Sequence, residues 1–221
     1  LLNYYNRRDQ FMKTMKSMSE TDYDKSKIEF VVIDDASDEP HLIDDVKDLF
    51  PDLNIIFKRI EPFEKVWGTR CPVPSLNMGI EMCSNEYFLI NGAEMMHVGD
   101  VISDFANRVE DNNYVCYATW QLRRDVGNRS YESLKGSYPS RFRDLLGAPA
   151  AYQHSIENNR LLMFCAGMSK SAMNKVGLFD EQYNLDSGFA DTEWVHRLKK
   201  TDIEIVTVDE PCTFHQWHER I

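Results

Sequence analysis

The order in which short apolar runs and helical periods alternate limits this chain more than any other feature. Leu1–Tyr5, Phe30–Ile33, Asn54–Phe57 and Tyr87–Ile90 read as strands. Between them apolar residues recur at helical spacing: Phe11, Met15 and Met18, then Leu42, Val46 and Leu49, then Leu76, Ile80 and Cys83. This alternation predicts an α/β fold with an open, mostly parallel central sheet, helices on both faces and right-handed crossovers. A further helix through Ile102, Phe105, Ala106 and Val109 leads into a strand at Tyr114–Trp120. From Arg123 to Arg160 periodicity fails, and Gly136, Pro139, Gly147 and Pro149 break the chain, as expected of a loop region or small subdomain over a site. Order resumes with a strand at Leu161–Cys165, a short helix at Ser171–Val176, a helix beginning at Asp191 and a strand at Ile203–Val208.

With 221 residues, 43% of them hydrophobic, the chain can bury one substantial core, so a single domain is expected. A net charge of -11 makes nucleic acid a poor partner for the surface as a whole. The five cysteines are scattered and never form a C-x-x-C pair, which fits a reducing, cytoplasmic compartment and argues against a disulfide framework or a zinc knuckle. There is no apolar run of membrane-spanning length and no signal peptide. A start without Met, inside a strand, reads as a piece of a longer chain.

The chemistry concentrates where predicted strands end. In FVVIDDASDE an apolar strand runs without a spacer into Asp34 and Asp35, and open parallel sheets bind ligands at the carboxyl ends of their strands. Asn3 to Asn6, including Tyr5, and Asn91 to Glu94 fall at equivalent places. The loop NYYNRRDQF has no glycine, which excludes a dinucleotide-binding G-x-G-x-x-G turn and a Walker-type phosphate loop. Phosphates would then be held by a metal ion or by Arg and Lys, and LINGAEMMHVGD offers hard oxygen ligands for the metal.

Five segments in order, NYYNRRDQFMKTMKSM, FVVIDDASDE, LNMGIEMCSNEYFLINGAEMMHVGD, AGMSKSAMNKVGLFDEQY and GFADTEWVHRLK, resemble the family 2 glycosyltransferases of the GT-A fold over nearly the whole chain. The resemblance implies one GT-A domain, with a donor-binding half at about residues 1–122 and an acceptor-side half at about 123–221. It implies that Asp35, assisted by Asp34, binds the base of a nucleotide-sugar, typically uracil. At the fourth strand the family carries a D-x-D or D-D pair whose last carboxylate holds a divalent ion. Ala93 and Glu94 stand there, so the final acid survives as Glu and the earlier one is lost, leaving its ribose role to Asn91. Mn²⁺ or Mg²⁺ is the implied cofactor, and a histidine ligand favours Mn²⁺. His215 is the better candidate, His218 the next and His97 the third. Asp191 matches the family's catalytic base, with Ala190 where an acid often precedes it, and Glu193 is a candidate for acceptor binding or capping. Arg70 and Asn77 match donor contacts, Gly167 a turn beside the acceptor. Arg123, Arg124, Arg141 and Arg143 could neutralise a diphosphate, and Trp67, Trp120, Trp194 and Trp217 are stacking candidates more often found in cores.

The implied reaction is inverting transfer of one sugar from a UDP-sugar-type donor to a hydroxyl of a glycan or other acceptor, since no Q-x-x-R-W motif of polymerising members is present. Two rivals remain at this level. A nucleotidyltransferase would open with a Gly-rich basic loop, and none is seen. A non-catalytic nucleotide-sugar or glycan-binding domain is motivated by Ala93 and Ala190.

Overall fold

The computed structural model describes residues 1–38, 42–60, 73–127, 129–135, 151–185 and 189–219. Its backbone is one sheet in the order β3-β2-β1-β4-β8-β6-β9-β5, with β7 beside β6. The parallel half comprises β1 (Leu2–Tyr4), β2 (Phe30–Asp34), β3 (Ile55–Arg59) and β4 (Tyr87–Gly92). These strands alternate with α1 (Arg8–Ser19), α2 (Leu42–Leu49) and α3 (Val73–Met82), as the periodicity predicts. The rest of the sheet is β5 (Met95–Val98), β6 (Asn113–Gln121), β7 (Ala151–Gln153), β8 (Cys165–Ser169) and β9 (Glu204–His215). There, β6 and β9 are parallel, whereas β8 runs antiparallel to both β4 and β6, and β5 antiparallel to β9.

Strand alternation divides the core between the two faces. Leu2, Tyr4, Phe30 and Val32 pack with Phe11, Met15 and Met18 of α1 and Val46 of α2. Their neighbours Leu1, Val31 and Ile33 point the other way, onto Leu76 and Ile80 of α3. That second cluster continues through Tyr114, Cys116, Ala166 and Met168 to the helices α7 (Lys170–Val176) and α8 (Phe189–Leu198). Val115, Tyr117 and Cys165 face Val101 and Phe105 of α4 (Val101–Arg108). The four described cysteines, Cys83, Cys116, Cys165 and Cys212, are buried free thiols. No helix of the described residues is long and apolar enough to cross a membrane.

Several element boundaries differ from expectation. The apolar run before β8 is a loop: Leu161 has φ 62°, in the left-handed region that interrupts a strand, and the strand begins only at Cys165. Gln153 satisfies this loop's backbone, its Oε1 accepting from the N–H groups of Arg160 (3.0 Å) and Leu161 (2.6 Å). The last strand extends seven residues beyond Val208, to His215, and the hairpin strand β5 was not anticipated. Leu49, on the predicted apolar face of α2, is 63% exposed, while Val46 is fully buried. In the irregular region the described residues form α5 (Arg124–Gly127), α6 (Tyr131–Lys135) and β7.

Candidate active site

The parallel strands deliver their chemistry to one edge. Tyr4 stands opposite Asp34 and Asn3 opposite both Ile33 and Gly92, so the residues following β1, β2 and β4 emerge side by side. The loops after β1 and β2 are stapled together. Asn6, at φ 46°, accepts from the Asp38 N–H at its Oδ1 (2.8 Å) and donates from Nδ2 to the Asp38 carboxylate (2.8 Å). Asp35 is anchored through its main chain, its N–H donating to the Tyr4 carbonyl (2.8 Å). Asn3 brings a buried Oδ1 that meets no donor among the described residues, and Tyr5, two residues on, is half-buried.

Glu94 occupies the tight turn between β4 and β5. Because β5 pairs with β9 in a register that sets Met95 against His215, the end of the last strand is brought back beside Glu94. Gln216 fixes this return: its main-chain N–H (3.1 Å) and its Nε2 (3.2 Å) both donate to the Glu94 carbonyl. The Nε2 atoms of His215 and His218 each lie 3.6 Å from Glu94 Oε1. One ligand atom from each of these three residues can be chosen so that all lie within 4.8 Å of one another. The donor set of one carboxylate and two imidazoles suits a first-row divalent ion such as Mn²⁺, so the residues fit the expected cofactor. Burial pushes the His215 imidazole down to about 4, keeping it neutral and able to ligate. Burial alone would raise the Glu94 carboxyl, but the nearby His218 imidazole and the Arg7 guanidinium outweigh it and hold it at about 2. Tyr152 and Phe164 wall the His215 ring edge-on, with centroids at 4.9 Å and 6.1 Å.

Other candidates have different partners. Asn91, which the resemblance assigned to the ribose, is fully buried under the turn. Its Nδ2 donates to the carbonyls of Gly92 (3.1 Å) and Met95 (2.9 Å), and its Oδ1 accepts from His97 Nε2 (3.1 Å). Asn91 and His97 therefore brace the hairpin, and His97 stands outside the three-residue cluster. Asn77 faces the backbone of Phe179, exchanging bonds of 2.9 Å and 3.0 Å with its carbonyl and N–H, so it clamps a loop instead of presenting an amide to a donor. Asp34 is engaged by Arg59 (2.6 Å) and by the Ser37 N–H (2.9 Å), so its carboxylate braces the loop. Glu193 pairs with Arg197 one turn on (2.6 Å). Gly167 lies within β8, where an added Cβ would meet the Phe88 carbonyl at 2.3 Å; sheet packing explains this glycine better than room for a sugar. Trp120 and Trp194 are core residues, and Trp217 carries the Arg124 guanidinium 4.9 Å above its ring. Arg70, Trp67, Arg141 and Arg143 lie outside the described residues.

Asp191 sits in the first turn of α8, with its carboxyl raised by burial and held back by the charge of Arg160. The segment from Arg160 to Phe164 bridges this acid and the Glu94 cluster. Leu161 accepts from the Tyr114 hydroxyl (2.9 Å), Phe164 accepts from the Gly92 N–H (3.0 Å), and the Phe164 ring packs on His215. Sequence reasoning missed Arg7, which donates from Nη1 to Glu94 Oε1 at 2.6 Å, and Gln216. The only advance signal for Gln216 was its place between the candidate ligands His215 and His218.

The family model for glycosyl transferase family 2 matches residues 2–176. The chain belongs to glycosyl transferase family 2. No curated protein matches it. Among solved structures, this family 2 chain is similar to S. aureus TarS residues 1–349 in complex with UDP-GlcNAc, at TM-score 0.68 and 14% identity over 100% of this chain and 58% of that one. It is also similar to the mannosyltransferase PcManGT from Pyrobaculum calidifontis in complex with GDP-Man and Mn²⁺, at TM-score 0.62 and 16% identity over 99% of this chain and 56% of that one. The likeness establishes the GT-A fold, and the family 2 chain spans little more than half the length of these two structures.

Proposed function

We propose that this chain is a metal-dependent, inverting glycosyltransferase that moves one hexosyl group from a UDP-sugar-type donor to a hydroxyl of a glycan or other acceptor. The observation that carries the reading is the convergence of Glu94, His215 and His218 beside the strand ends that bear Asn3, Tyr5 and Asp35. Glu94 and His215, with His218 as a third group, would hold Mn²⁺ or Mg²⁺, and the ion when bound supplies positive charge for the departing diphosphate. Asp35 receives the base, with Asn3 and Tyr5 beside it, and Arg70 remains a donor contact. The residue whose carboxyl is raised by burial, Asp191, accepts the proton of the acceptor hydroxyl as its oxygen bonds to the anomeric carbon and the bond from that carbon to the diphosphate oxygen breaks. A base placed across from the leaving group implies inversion. The complexes of the structural neighbours with UDP-GlcNAc, GDP-Man and Mn²⁺ support the donor class and the cofactor without specifying either. We assign the chain to one domain with donor and acceptor halves, and its buried free thiols to a reducing cytoplasm.

A screen of nucleotide-sugars with Mn²⁺, monitoring free nucleotide, tests this. Turnover should vanish in Glu94→Ala and Asp191→Asn, with nucleotide affinity falling mainly in the first. Binding of UDP without sugar release under any condition would identify a non-catalytic binding domain, the reading that Ala93 and Ala190 keep open.

A further inference from the structure

We propose that Arg7 is a built-in counter-ion of Glu94 that competes with a divalent cation for this carboxylate and must be displaced when the cation binds. The inference rests on the metal reading above. Arg7 Nη1 contacts Glu94 Oε1 at 2.6 Å, the same oxygen from which the Nε2 atoms of His215 and His218 stand 3.6 Å away. The guanidinium therefore holds the atom around which the three candidate ligands gather. A dication on that oxygen would stand within a few ångströms of a fixed positive charge, at a carboxylate only 11% exposed where solvent screens poorly.

Two further observations separate this from an ordinary ion pair. Arg7 immediately precedes α1, and the positive end of a helix macrodipole disfavours a cation there, so the helix itself does not hold the guanidinium in place. Its Nε is buried and meets no acceptor, leaving Glu94 as the acceptor that fixes the head group among the described residues. The loss of the family's earlier acid to Ala93 completes the picture. One carboxylate and one guanidinium are already paired there, so a metal ion gains Glu94 only by taking it from Arg7.

The test is Mn²⁺ binding without nucleotide, read from the electron paramagnetic resonance signal of free Mn²⁺, on the whole protein. Removing the competing charge should tighten Mn²⁺ binding by about tenfold or more in Arg7→Gln and in Arg7→Met, while Arg7→Lys stays close to wild type. Glu94→Gln should bind none. Arg7→Met serves as a second neutral variant should Arg7→Gln fold poorly, with far-ultraviolet circular dichroism as the check. Equal or weaker binding in the neutral variants, with Glu94→Gln still abolishing it, overturns the counter-ion role and leaves the metal site standing. Absence of Mn²⁺ binding in wild type and neutral variants alike removes the metal site and this inference together.

Discussion

At the scale of single residues, Asp191 and His97 show burial acting on acid and base in opposite senses. Burial raises the Asp191 carboxyl and Arg160 offsets part of that, so the acid limb of the kcat profile should lie above the range of a free carboxylate. Arg160→Ala removes the favourable charge and should move that limb to still higher pH, which a pH–rate profile would show. An unmoved limb would mean that Asp191 is not the titrating base. His97 is held neutral, its imidazole pushed down to about 3 by burial, so the unfolded chain takes up the proton first as pH falls below 6.5. Stability from this residue is complete above the unfolded value and declines between 6.5 and 3, by about 2 kcal/mol at pH 5. Thermal melts should show that decline in wild type and a shallower one in His97→Gln. The legibility of individual side chains follows the same physics. Glu94 and His215 were singled out by the family resemblance, and the structure brings them side by side, His215 Nε2 lying 3.6 Å from Glu94 Oε1. The roles of Asn91 and Asn77 were not readable, because an amide serves a backbone turn as readily as a ligand, and spacing does not reveal which carbonyls lie in reach.

At the scale of elements, the β4–β5 turn and the return of β9 build the site, and neither was fully visible in sequence. Met95–Val98 is four residues, too short for its period to stand out beside the turn that carries Glu94. The run Leu161 to Phe164 is apolar because it fills space between sheet and α8, and apolarity without an extended backbone gives the same pattern as a short strand. Gly167 is a test at this scale. An added Cβ would press the Phe88 carbonyl at 2.3 Å and the Phe105 ring at 2.7 Å, contacts that neither neighbour in a packed sheet can yield cheaply. Gly167→Ala should cost about 2–3 kcal/mol in denaturant unfolding, well beyond a surface substitution. A neutral result would show that β4 and β8 can separate locally.

For the molecule as a whole, the strand–helix alternation was decisive because each crossover must bury its helix against the sheet. That left the parallel half β3-β2-β1-β4 with little freedom. The antiparallel insertion of β8 between β4 and β6 was not predictable from local periods, since it depends on which edges remain to be paired. Yet that insertion leads out of the Arg160–Phe164 segment, whose first residue acts electrostatically on Asp191 and whose last packs on His215. The central claim is that this edge of the sheet holds a divalent ion beside a nucleotide. Anomalous diffraction at the manganese edge, from crystals soaked with Mn²⁺ and UDP, tests it most directly. The account predicts a single strong peak bonded to Glu94 and His215 and to the UDP diphosphate, with Arg7 withdrawn from the carboxylate. A peak elsewhere, or UDP bound with Glu94 still paired to Arg7 and no metal, would contradict it.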